Sequence, residues 1–108
     1  MTFDVDASRF AAAESGTDSF KLLYKAAFGL MTAQPANAAF FFVIGVAAHS
    51  YVVQYEDQGV SPDFADKAKA LMVGFNNKIA LALASTPDVA IKLLGEVSAD
   101  YQFNVNEF

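Results

Sequence analysis

Apolar residues recur every three or four positions along much of the chain, which is the spacing of an amphipathic helix. The segment 17–34 is the clearest case, because Lys21 and Lys25 lie off its apolar stripe. The stripe consists of Phe20, Leu23, Tyr24, Ala27, Leu30 and Met31. Thr17 and Asp18 are both good N-cap residues, so we predict a helix that begins at one of them.

Two later segments, SPDFADKAKAL and TPDVAIKLLGE, begin in the same way. Ser61 and Thr86 are the predicted N-caps, and each is followed by a proline suited to the first helical position and an aspartate that complements the helix dipole. Convergent capping explains this similarity, and a tandem repeat is the alternative. The first of these helices, 62–84, keeps its apolar phase across Gly74–Asn77, although that stretch is able to bend it.

The segment of about 36–57 is apolar on every side. From Ala38 to Val53 it contains no charged residue, and a helix without a polar face belongs in the middle of a fold. We therefore predict a mainly α protein, a compact bundle of four to five helices around this buried central helix. The whole chain, 1–108, is expected to be one helical domain.

Both ends of the chain alternate apolar and polar residues in the manner of short strands. The run FDVD occupies 3–6 and the run FNVN occupies 103–106. We predict strand-like N- and C-terminal segments that pair within or between chains, because open strand edges attract partners. Frayed termini are the alternative.

The chain is unusually apolar for its charge. Hydrophobic residues make up 55% and charged residues 18%, whereas about a quarter of a typical soluble domain is charged. An oligomer interface, a ligand pocket or a bilayer must cover the surplus. We predict a homo-oligomer or a protein partner, with an interface drawn from Phe3, Val5, Leu22, Phe28, Phe41, Phe42, Ile91, Phe103, Val105 and Phe108.

Two other classes of partner are less well supported. The net charge is −5 and Arg9 is the single arginine, so the clustered cations that bind nucleic acid are missing. The apolar stretch AAFFFVIGVAAHSYVV is shorter than the roughly 20 residues that span a bilayer, and no Lys or Arg flanks it. A membrane-inserting helical hairpin is thus the second alternative. No signal-peptide pattern is present, and we expect a cytoplasmic protein.

The first alternative is a ligand-binding bundle. His49, the one histidine, lies near Tyr51 and Tyr55, and helical bundles use such residues to hold a tetrapyrrole or another flat aromatic molecule. A structural histidine with a single hydrogen-bond partner is the more ordinary explanation. We therefore predict no cofactor.

Metal and catalytic sites find little support. The chain has no cysteine, which excludes disulfides and thiolate metal sites. The segment DVDASRFAAAES resembles a calcium loop, but it has Arg9 where glycine is required and Ser15 where glutamate is required. No nucleophile, base and acid occur at a catalytic spacing. The sequence favours a small acidic protein that acts by protein–protein interaction or self-assembly, in an accessory, structural or scaffold role without catalysis.

Overall fold

The computed structural model describes residues 2–104, which form five α-helices and no strand. The helices are α1 (Phe3–Ala12), α2 (Thr17–Ala33), α3 (Ala38–Tyr55), α4 (Pro62–Leu83) and α5 (Pro87–Phe103). A short 3-10 turn, Pro35–Asn37, connects α2 to α3. The prediction of a mainly α bundle is confirmed. Helix α3 contacts α2, α4 and α5, but it is buried on one side only and not all round as predicted.

The antiparallel pair of α2 and α3 is the most extensive helix contact in the bundle. Lys21, near the start of α2, forms a 3.0 Å ion pair with Glu56, just beyond the end of α3. Gly45 lies against α2, where a Cβ atom at this position would overlap the Phe28 ring. Glycine thus lets α2 and α3 pack at short range.

Aromatic rings at the centre of the core join three helices. The Phe20 ring of α2 stacks on the Tyr51 ring of α3 at a centroid distance of 4.0 Å. The edge of Phe10, from α1, meets Phe20 at 5.0 Å. Neither Phe20 nor Tyr51 is accessible to solvent, so this stack fixes α1, α2 and α3 relative to one another.

Helices α4 and α5 complete the bundle. The helix α4 is continuous through Gly74–Asn77, as its apolar phase predicts. Its N-cap, Ser61, accepts a hydrogen bond from the Phe64 backbone N–H at 3.1 Å, whereas the side chain of Thr86 makes no such bond. Lys78 joins α4 to Glu96 and Asp100 of α5, at 3.3 and 3.4 Å.

The strand predicted at the amino end is wrong, since residues 3–6 belong to α1. The alternation over residues 3–6 is not the only pattern in this segment. Phe3 and Phe10 are two helical turns apart, so a helix places both on one side. The helix buries both rings, and Phe3 packs against Phe41 at a centroid distance of 6.0 Å. Val5 is left at the surface.

The carboxyl end also differs from the expectation in its described part. Helix α5 continues to Phe103 and Asn104 forms a turn, so the predicted strand does not begin at 103. The remainder of that predicted strand, 105–108, lies outside the described residues. No strand pair therefore joins the two ends within 2–104.

Asp6 is a buried acidic residue on the inner side of α1. Burial raises the pKa of its carboxyl above the usual value, and the charges of Arg9 and the amino terminus oppose this only in part. A carboxyl whose pKa rises on folding stabilises the fold when protonated. That contribution is fully present below about pH 4 and is lost as the pH rises through the folded-state pKa.

We expect Asp6→Asn to increase the free energy of unfolding at about pH 7, because the variant removes a buried charge. At about pH 2.5, more than one unit below the ordinary aspartate pKa of about 3.9, the wild-type carboxyl is protonated in both states, so the difference between the two proteins should shrink. Urea unfolding at the two pH values measures both quantities. Asp4→Asn, which alters an exposed carboxyl in the same turn, is the control. A benefit of Asp6→Asn that does not change with pH would contradict this account.

Candidate interaction face

The helix α3 has two different sides, although both are apolar. Its inner side packs in the core and consists of Phe41, Ile44, Gly45, Ala47, Ala48, Tyr51 and Val52. Its outer side remains accessible and carries Ala39, Phe42, Val46, His49 and Val53, which we call the α3 outer face. Phe42 is 53% exposed and Val53 is 70% exposed. Large apolar side chains of the most apolar segment are thus exposed to solvent.

The residues of the α3 outer face follow one another at intervals of three and four. This is the alternating spacing of the seam along which two helices pack in a coiled coil. The spacing also keeps all five side chains on one line along about 21 Å of helix, at 1.5 Å per residue from Ala39 to Val53. The face therefore has the geometry that a further helix requires.

Helix α2 forms one border of this face. The edge of Tyr24 meets the His49 ring at a centroid distance of 4.7 Å, and Phe28 lies 6.3 Å from the same ring. Phe28 is held in place because it also covers Gly45. Helix α5 is on the opposite border, where the hydroxyls of Ser50 and Tyr101 share a 2.6 Å hydrogen bond.

Charge is absent from the face itself. The segment from Ala38 to Tyr55 contains no Asp, Glu, Lys or Arg, so the first turn of α3 carries no carboxylate. Lys21 and Glu56 form a partly exposed ion pair at the carboxyl end of α3. An apolar partner could cover the face without desolvating an unpaired charge.

Of the three residues predicted to hold a ligand, Tyr51 and Tyr55 pack together at a ring-centroid distance of 4.9 Å, but His49 lies apart from them. His49 is exposed on the α3 outer face, whereas Tyr51 is buried on the inner side and Tyr55 packs against Phe64 at 5.1 Å. Burial raises the pKa of Tyr51, so its hydroxyl is protonated at neutral pH and is a poor metal ligand. The described geometry offers no shared pocket for a tetrapyrrole at these residues.

The predicted interface residues divide into four groups. Phe3 and Phe41 are core residues, which corrects the expectation that they contribute to a surface. Phe28 is half-buried. The accessible ones are Val5, Leu22, Phe42, Ile91 and Phe103. Val105 and Phe108 lie outside the described residues.

Within residues 2–104, no group of three or more His, Asp or Glu side chains is placed to hold a metal ion. One described segment, Pro35–Tyr55, is long and apolar enough to cross a membrane by length and composition alone. It includes α3, whose inner side is in the core, so the same observation fits a core helix.

A sequence signal for the orientation of α3 exists in its small residues. Ala47 and Ala48 are small residues on the buried side of α3, which faces away from Phe42 and Val53. Close packing selects small side chains at such contacts.

Comparison of the chain with protein-family models, with curated proteins and with solved structures finds no match.

Proposed function

We propose that this protein acts by self-association, with the α3 outer face of one copy packed against the same face of a second copy. Its role is accessory or structural rather than catalytic. The observation that supports this most directly is the exposure of Phe42 and Val53 on a face without charge. Burying these side chains in an interface releases the water around them, which is favourable by about 25 cal/mol per Å².

The spacing of the face favours a second copy as the occupant. Phe42 and Val53 are equally far from the midpoint between Val46 and His49. When two copies of α3 lie antiparallel about a two-fold axis at that midpoint, Phe42 meets Val53 and Val46 meets His49. An isologous interface requires this self-complementarity. A crossing angle near +20° accommodates the alternating spacing of three and four.

The charges at the helix ends favour the same antiparallel arrangement. In this register Glu56 lies beside Ala39, in the first turn of α3 in the second copy. That turn carries no carboxylate of its own, and the amino end of a helix attracts negative charge. A parallel arrangement would instead place the two Glu56 side chains next to each other.

The size of the face sets the expected strength of association. A single pair of helices buries less than the roughly 1,600 Å² of a standard interface. We therefore expect a dimer that dissociates on dilution in the micromolar range rather than an obligate one. The bordering side chains of Tyr24 and Phe28 add area on the α2 side.

Replacing Phe42 and Val53 with glutamate tests the proposal. Four like charges would be forced together in the dimer, so Phe42→Glu/Val53→Glu should be monomeric at concentrations where the wild type is dimeric. Sedimentation velocity from about 1 to 500 μM gives the mass at each concentration. The matched control is Leu81→Glu/Val89→Glu, which alters exposed apolar residues of α4 and α5. Equal dissociation by the control pair would contradict the assignment of the interface to α3.

A lipid surface is the competing occupant of the same face, because Pro35–Tyr55 also satisfies the length and composition of a membrane-spanning helix. Flotation with neutral phosphatidylcholine vesicles separates the two. A protein that remains monomeric in solution and floats with vesicles, and that loses flotation on Phe42→Glu/Val53→Glu, would replace self-association with membrane binding.

A further inference from the structure

A second feature of the molecule, independent of the α3 outer face, is a groove between α1 and α2. The groove has a volume of about 170 Å³. Its walls are mostly apolar and are formed by Phe10, Leu22, Leu23 and Ala26. Ser19 lines it as well, but its hydroxyl already donates to the Gly16 carbonyl at 3.0 Å.

Two charged side chains line the same groove. Only 7% of Asp6 is exposed, and Arg9 lies about one helical turn further along α1. Within residues 2–104 neither of them forms a hydrogen bond or an ion pair of 4.0 Å or less, even with the other. The Asp6 oxygens keep access to the groove, so a cation bound there would pair with the carboxylate in a partly desolvated site.

The spacing of the two charges defines the ligand further. Residues three apart on a helix lie on the same side, with Cβ atoms about 5–6 Å apart. A ligand that carries an ammonium and a carboxylate on one carbon can reach both groups at once. Its remaining substituent would then lie against Leu22 and Leu23.

The volume of the groove limits the ligand to a small one. Pockets for drug-sized molecules have about 300–1,000 Å³, and 170 Å³ corresponds to five or six waters at about 30 Å³ each. A free amino acid is of this size, whereas a nucleotide or a tetrapyrrole is not.

We infer that the groove between α1 and α2 binds a small apolar α-amino acid. Asp6 receives the ammonium group, Arg9 receives the carboxylate, and the apolar side chain of the ligand packs on Leu22, Leu23 and Ala26. This site is separate from the α3 outer face, and the proposed self-association does not depend on its ligand.

Isothermal titration calorimetry with three probes tests the site. L-Leucine carries both charges, 4-methylpentanoate lacks the ammonium group, and 3-methylbutylamine lacks the carboxylate. We expect leucine to bind and each analogue to bind at least about tenfold more weakly, the change that accompanies loss of one charged contact. No heat of binding for leucine at millimolar concentration, or equal affinity for either analogue, would overturn the proposal.

Variants of the chain identify the two contacts separately. Asp6→Asn and Arg9→Gln should each weaken leucine binding at least about tenfold. Asp4→Asn, on the exposed side of α1, should leave it unchanged, and circular dichroism checks that every variant is folded. If Asp6→Asn does not fold, Arg9→Gln alone decides. Unaltered binding by Arg9→Gln, or equal weakening by Asp4→Asn, would overturn the proposal.

Discussion

Phe20→Ala is expected to lower the free energy of unfolding by about 3–5 kcal/mol, the usual cost of truncating a buried phenylalanine. Phe20 is fully buried, stacks on Tyr51 and meets the edge of Phe10. Truncation removes contacts to two other helices and leaves a cavity that the rigid stack cannot close. Since domains of this size are stable by about 5–15 kcal/mol, this one change should remove a large part of the total.

The matched control for this prediction is Phe103→Ala. The substitution is chemically identical, but Phe103 is 87% exposed near the end of α5, so its effect should stay within about 0.5 kcal/mol. Urea unfolding of both variants, followed by circular dichroism, gives the two free energies. Similar losses for Phe20→Ala and Phe103→Ala would mean that the aromatic stack is not the centre of the core.

Asn76→Leu is expected to stabilise the protein by about 1–3 kcal/mol, the cost of leaving a buried polar group without a hydrogen bond. Asn76 is 1% exposed on the inner side of α4, and no protein group within 2–104 bonds to its amide oxygen or nitrogen. Leucine has the same branched shape and carries no polar atom. The replacement should therefore keep the packing and remove the penalty.

Asn77→Leu is the control for Asn76. The two residues are adjacent, but Asn77 is exposed, so its replacement should change the stability by less than about 0.5 kcal/mol. The midpoint of thermal unfolding, measured by calorimetry, reports both effects. A lower midpoint for Asn76→Leu would contradict the prediction, because it would mean that the amide makes favourable contacts in the core.

Local pattern in the sequence was sufficient to predict most of the helices. The regular apolar spacing around Phe20 and the prolines at 62 and 87 predict where α2, α4 and α5 run, because spacing and capping act within one helix. The start of α1 was not predicted, since FDVD fits a strand locally. Phe3 is helical because of its contact with Phe41, which lies far away in the sequence.

The sites were harder to predict than the helices. A segment that is apolar on every side does not reveal which side faces the core, so Phe41 was predicted to contribute to an interface. The structure places it in the core instead. Asp6 was missed because acidic residues are almost always exposed, and only the packing of α1 against α2 shows that it is buried.

The native mass of the purified protein, measured by light scattering across a dilution series, tests the central claim most directly. We predict a mass of twice the 11.6 kDa chain at high concentration, falling towards one chain on dilution. Phe42→Glu/Val53→Glu should give the mass of one chain throughout. A wild-type protein that stays at 11.6 kDa at every concentration would contradict self-association through the α3 outer face.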